Sequence, residues 1–194
     1  QEGDTIFFIA APEKAACIYA GQIRNELGSR LDLLEKNAYR FCYINDFPMY
    51  EIDEETGKLG FTHNPFSMPQ GGLEALNEKD PLDILAYQYD IVCNGVELSS
   101  GAVRNHDMEI MEKAFDIAGY DKETLKDKFG ALYNAFQFGA PPHAGMAPGV
   151  DRMIMLLRNE ENIREIIAFP MSGTAQDLMC GAPNEITEQQ LREV

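Results

Sequence analysis

Asp90 and Glu97 flank Asn94-Gly95, the strongest short hairpin signal in the chain. If those two residues make the whole turn, Cys93 faces Val96 and Val92 faces Glu97 across the ladder. Asp90, two residues from Val92, then shares the face of Glu97 as a diagonal neighbour at ~7–8 Å. Two carboxylates converging on one sheet face repel unless a cation or a raised pKa relieves them. A hard ion such as Mg²⁺ suits them, because it is held by one or two carboxylates while phosphate oxygens and waters complete its octahedron. In a chain this acidic the same pair also describes two solvated acids on an exposed face, and residue types alone do not separate the two.

Two arginines could complement these acids. Arg104 ends the stretch Leu98-Ser99-Ser100-Gly101-Ala102-Val103, which continues the second strand of the hairpin. Strict alternation points Arg104 away from Glu97, so one pocket can use both only if a bulge occurs near Gly101. Arg152 falls in the first turn of an apolar helix, where the macrodipole disfavours a cation by ~0.3–1 kcal/mol. Its partner is either Asp151 or another surface carboxylate, or else a bound phosphate or nucleobase, onto which a planar guanidinium forks or stacks. His63 sits in a loop kept extended by Pro65 and Pro69, as a hydrogen-bonded loop residue or a site residue. His106 and His143 lack any catalytic partner pattern and read as structural.

The elements that position these residues follow from periodicity and punctuation. Gly139, Ala140, Ala144, Gly145, Ala147 and Gly149 are small enough for a close-packed strand, and Met153 to Leu157 is uniformly apolar. That predicts a small-residue strand, a tight turn at Gly149 and a buried helix. Tyr39 to Ile44 and Tyr87 to Cys93 read as strands, and Glu55 to Lys58 as a turn before Leu59-Gly60-Phe61. Asp80-Pro81-Leu82-Asp83 is a compact helix start. Asp107 to Ala118, ended by Gly119, and a helix capped by Asp121 carry a Met and Phe stripe suited to core packing. Asp4 to Ala10 predicts a short buried strand; Ala16, Ala20, Ile23 and Leu27 predict a helix stopped by Gly28. Thr187 to Gln190 has the pattern of a capping box.

At 194 residues the chain is long enough for one sizeable domain. It has no apolar run long enough for a membrane span, and no signal-peptide pattern opens it. Cys17, Cys42, Cys93 and Cys180 are scattered without CxxC spacing, which argues against zinc and against a disulfide framework; reduced, mostly buried thiols are expected. A net charge of -16 repels polyphosphate unless basic residues cluster.

Taken together, the blocks carry a family resemblance. GVDR at 149–152, followed by the apolar helix, preceded by FGAPPHAG and followed by NIREIIAFP, resembles motif 3 of class II aminoacyl-tRNA synthetases. DFPM at 46–49, HNPFSMP at 63–69 and NGVELSSGAVR at 94–104 resemble, in the same order, blocks of aspartyl-tRNA synthetases of bacterial type. The resemblance implies an α+β fold, a mostly antiparallel sheet flanked by helices, present as a partial catalytic domain. It implies that Gly149, Val150, Asp151, Arg152 and Glu97 contact ATP, that Asp90 and Glu97 hold Mg²⁺, and that His63 and Arg104 bind aspartate. Arg152, Glu97 and Arg104 would then carry catalysis. Asn64 stands where the family has a second histidine, so no role needing that imidazole carries over.

The activity so implied joins aspartate to ATP as aspartyl-adenylate and then transfers it to tRNA, in a cytoplasmic enzyme that is a homodimer when intact and has no membrane contact. Residues 1–28 would close a domain inserted between motifs 2 and 3, and 29–194 would form the C-terminal half of the catalytic domain. Gln1 opens the chain just before an apparent strand, and neither motif 1, motif 2 nor an anticodon-binding barrel is found. The chain is therefore expected to be the C-terminal part of the enzyme, inactive alone. Two alternatives are a class II ligase for another amino acid such as asparagine, and a non-catalytic binding module descended from the fold.

Overall fold

The computed structural model describes residues 3–193, which divide into two compact units with the boundary between Tyr39 and Arg40. The first unit has one regular element, α1 (Glu13–Arg30), none of whose residues is buried. Gly28 lies inside this helix rather than stopping it. The chain turns after Arg30 and folds back, so that Leu34 comes within 3.0 Å of a Cβ built on Gly28. Asp4 to Ala10 is not a strand, and Ile6, Phe7 and Phe8 are exposed. A strand exists by pairing, and the described residues of this unit offer it no partner.

The second unit is built on a four-stranded antiparallel sheet of β1 (Phe41–Pro48), β4 (Leu85–Cys93), β5 (Val96–Val103) and β6 (Ala144–Pro148), in that order. A small hairpin, β2 (Tyr50–Ile52) and β3 (Leu59–Phe61), precedes β4. Its turn is tied by the Asp53 carboxylate, which accepts from the backbone of Glu55 and Thr56. Helices α2 (Gly72–Glu78), α3 (Met108–Ile117) and α4 (Lys122–Phe136) pack in succession, and α5 (Val150–Arg158) packs on β5. The Asp107 and Asp121 carboxylates cap α3 and α4, and Thr187 with Gln190 forms a capping box on α6 (Glu188–Arg192). DPLD folds as a single 3₁₀ turn, Pro81–Asp83, capped by Asp80.

The core has two connected patches. Met49, Tyr50, Leu76, Ile84, Ala86 and Ala114 form one; Met111, Phe115, Leu125 and Tyr133 form the other, with Phe61, Phe66 and Phe129 against it. Phe115 is the hub, its ring 5.0 Å from Phe61 and 5.7 Å from Phe129. Tyr50 is 1% exposed, and its hydroxyl donates to the Ala114 carbonyl at 3.0 Å, stitching β2 to α3. Burial pushes the Tyr50 pKa well above the tyrosine norm of about 10. A folded-state pKa raised above the unfolded value gives stability that is present below about pH 10 and is lost as pH rises further. Tyr50→Phe is therefore expected to flatten the fall in stability above pH 10 by about 1.4 kcal/mol per pH unit, read from urea titrations at pH 9 and 11.

Two expectations about burial are corrected. Helix α5 buries only Met155, while Val150, Ile154 and Leu157 form an exposed stripe. One sheet covers one side of a helix, whereas a run of five apolar residues surrounds it. Of the four thiols only Cys93 is buried; Cys17, Cys42 and Cys180 are exposed, on α1, an edge strand and a loop. No helix among the described residues is long and apolar enough to cross a membrane.

Candidate functional site

The Asn94-Gly95 turn forms as its residue types require, both in left-handed backbone at φ 50° and 82°. Val92 pairs with Glu97 and Cys93 with Val96, so the expected register holds at the turn. Further along, Ile91 pairs with Ser99 and Asp90 with Ser100, which leaves Leu98 as one extra residue on β5. This bulge lies three residues before Gly101, where one was expected. Paired residues share a face and alternate residues share a face. Glu97, Ser100, Ala102 and Arg104 therefore fall on one face with Gln88, Asp90 and Val92. Without the extra residue Arg104 would point to the rear. The bulge also places Ser100, not Ser99, opposite Asp90.

In register with the β5–β6 ladder, the Leu98 carbonyl accepts from the Gly149 N–H at 2.7 Å, at the corner where β6 turns into α5. The preceding carbonyl, Glu97, accepts from Arg152 Nη1 at 2.8 Å, and the same nitrogen lies 3.0 Å from Glu97 Oε1. The partner of Arg152 is thus a carboxylate from across the sheet rather than the adjacent Asp151. The side chain folds back over Gly149, where a built Cβ would stand 3.5 Å from Arg152 Cδ. Val150 and Asp151 are exposed in the first turn of α5, whose N-cap, Gly149, supplies no side-chain hydrogen bond. The free N–H groups of that turn form an anion-receptive end.

Arg104 follows β5, its N–H bonded to the His143 carbonyl at 2.9 Å. Its Nη2 lies 4.0 Å from a Cβ built on Gly145. The guanidinium is half-buried and, among the described residues, has no hydrogen bond or ion pair. The segment carrying His63 braces the same strand end. Met68 N–H donates to Val103, Asn105 N–H to Phe66, and Tyr87 N–H to Met68, so this extended loop runs between the diverging ends of β4 and β5. The His63 ring stands edge-on to Phe47 with centroids 5.0 Å apart. Asn64 turns the loop: its side chain accepts from Phe66 N–H at 2.9 Å, and its carbonyl accepts from the Ser67 hydroxyl at 2.8 Å. His106 and His143 bond the backbone carbonyls of Arg104 and Pro141, as expected of structural histidines.

One sheet face thus gathers two carboxylates, two guanidiniums and the N-terminus of a helix. The structure brings Glu97 and Arg152 into direct contact beside Gly149 and sets Asp90 and Arg104 on the same face, with His63 on the loop beside Arg104. No group of three or more His, Cys, Asp or Glu poised for a metal occurs among the described residues. The protein donors for an ion here are two hard carboxylates, a set that suits Mg²⁺, which keeps waters and phosphate oxygens in its sphere. Sequence reasoning did not reach Ser100, whose exposed position opposite Asp90 depends on the bulge, nor Phe47, the neighbour of His63.

The model of the family described as tRNA synthetases class II (D, K and N) matches residues 12–173. The chain is 61% identical over 193 residues to the aspartate–tRNA(Asp/Asn) ligase of Zymomonas mobilis, covering 100% of this chain and 32% of that protein. It is 62% identical over 192 residues to the aspartate–tRNA ligase of Streptomyces coelicolor, covering 99% of this chain and 33% of that one. The chain therefore spans about a third of the length of the curated relatives it matches. Among solved structures, the aspartyl-tRNA synthetase of Entamoeba histolytica superposes with a TM-score of 0.53 at 23% identity, over 91% of this chain and 30% of that one, a likeness of fold. With its antiparallel sheet flanked by helices and a family match over most of its length, the chain belongs to the class II tRNA synthetases of the D, K and N group.

Proposed function

We propose that this chain is part of an aspartate–tRNA ligase, which activates aspartate with ATP to aspartyl-adenylate and transfers it to tRNA. The observation that supports this best is the single face carrying Asp90, Glu97, Arg104 and Arg152, complementary to a nucleotide with its ion and to an acidic amino acid. Residues 1–28 are assigned to the inserted domain and 29–194 to the catalytic domain, with a homodimer as the working assembly.

In this reading the exposed first turn of α5, Gly149 to Arg152, receives ATP: the backbone N–H groups face phosphate oxygens and the guanidinium supplies the charge. Asp90 and Glu97 would hold Mg²⁺, which would offset phosphate charge. Arg152, already on Glu97, keeps that carboxylate oriented. Arg104, whose side chain has no hydrogen bond or ion pair among the described residues, takes the side-chain carboxylate of aspartate as a two-pronged partner, with His63 beside it. The α-carboxylate of aspartate attacks the α-phosphorus and pyrophosphate leaves. No covalent enzyme intermediate is needed, so acceleration comes from alignment and charge stabilisation.

The test is ATP–pyrophosphate exchange by the full-length natural protein with aspartate, asparagine or lysine as the amino acid. Exchange with aspartate alone is expected. Exchange driven by asparagine or lysine instead, or no binding of ATP at all, would overturn the proposal.

A further inference from the structure

Tyr89 lies between two residues of the site face, Gln88 and Asp90, and so projects from the rear of the sheet. Its direct partner on β5 is Gly101, and its hydroxyl donates to the Gly145 carbonyl on β6 at 3.0 Å. One side chain thus spans three strands. A Cβ on Gly101 would stand 2.4 Å from Tyr89 Cε2 and 2.5 Å from the Gly145 oxygen. Gly101 is required for space, since the ring and the carbonyl both occupy the volume a side chain would need. An aromatic ring laid over a cross-strand glycine is a recognised way of fixing register.

Strand β6 is short, lies at the edge of the sheet as described, and exposes four of its five residues. Apart from its ladder with β5, the Tyr89 hydroxyl is the polar side-chain contact that holds it among the described residues. Gly145 is also where the two faces meet: its carbonyl is gripped from the rear, while its Cα lies beneath the Arg104 guanidinium on the site side. Four residues later Gly149 turns into α5 and delivers Arg152 to Glu97.

From this geometry we infer that Tyr89 is a positioning residue, which fixes β6 from behind the sheet and thereby sets the two guanidiniums, Arg104 and Arg152, relative to each other. It touches no reactant, and its effect passes through Gly145. The inference rests on the proposed function for its kinetic consequence, but the brace itself does not depend on that function. If two substrates must be aligned by groups on β5 and α5, small shifts of the strand between them reduce alignment more than affinity, because misplacement by an ångström can cost ~10²-fold in rate.

The experiment uses the full-length natural protein with Tyr89→Phe, which keeps the ring over Gly101 and removes only the hydroxyl, and Tyr89→Ala, which removes both. Tyr89→Phe is expected to lower kcat for aspartate-dependent pyrophosphate exchange roughly tenfold with KM values within about threefold, and Tyr89→Ala to lower it roughly a hundredfold. Hydrogen–deuterium exchange over residues 144–149 should quicken about tenfold in Tyr89→Phe, while β1 is unchanged. Wild-type kinetics in Tyr89→Phe, or a loss shared by β1 protection and so by the whole fold, would overturn the inference. A wild-type protein without aspartate-dependent exchange would sink the functional reading instead; the brace would then stand or fall on protection of 144–149 alone.

Discussion

Arg152→Ala is expected to lower aspartate-dependent pyrophosphate exchange by about 10²–10³-fold, the usual loss when one preorganised donor is taken from developing charge. Arg152 Nη1 engages both the carbonyl and the carboxylate of Glu97, at 2.8 and 3.0 Å, and the side chain rises from the open end of α5. Its removal would take a guanidinium from the nucleotide and also release the carboxylate proposed to hold the ion. The loss should therefore be accompanied by a higher Mg²⁺ requirement. Arg152→Lys should recover little, because an ammonium has neither the planar fork that matches phosphate oxygens nor the flat face that stacks on a base. Exchange kinetics at varied ATP and Mg²⁺ decide the matter. A variant within a few-fold of wild type would mean that the pair with Glu97 is only a surface ion pair, and both its members are roughly half-exposed.

Arg104 should dominate recognition of the amino acid. Arg104→Ala is expected to raise the aspartate concentration for half-maximal exchange by ~10²–10³-fold while the ATP requirement changes little. The reason is the state of its guanidinium, half-buried and without a hydrogen bond or ion pair among the described residues, in a chain of 32 acids and 16 bases. A cation left so in an acidic chain is suited to a ligand carboxylate. An amide in place of that carboxylate would keep one acceptor but set an NH₂ donor against the other prong of the fork and carry no charge, so asparagine should be rejected strongly. Arg104→Gln with unchanged aspartate dependence would refute the assignment.

Much of this site was legible before the fold. The Asn94-Gly95 turn dictates its own register, since left-handed backbone at two successive residues admits little else, and that alone put Asp90 and Glu97 on one face. Gly149 before an apolar run marked the strand-to-helix corner, and Asp80, Asp107, Asp121 and Thr187 announced helix starts that the structure has. Local chemistry suffices for such features because a cap or a tight turn is satisfied within four residues. The family blocks added roles that no spacing could supply.

Other features were settled by contacts distant in sequence. Asp4 to Ala10 has the composition of a strand and is not one, because pairing depends on a neighbour and not on propensity. Helix α5 has the composition of a buried helix and shows Val150, Ile154 and Leu157 to solvent, because burial depends on what packs against it.

The residues themselves determined the turn at 94–95, the caps and the acid and arginine set. The tertiary structure decided that the extra residue falls at Leu98, which stands in register with Gly149 some fifty residues on, and so that Arg104 and Glu97 share a face. A bulge answers to the strand beside it, and alternation along one strand cannot foresee a partner that arrives from the other end of the fold.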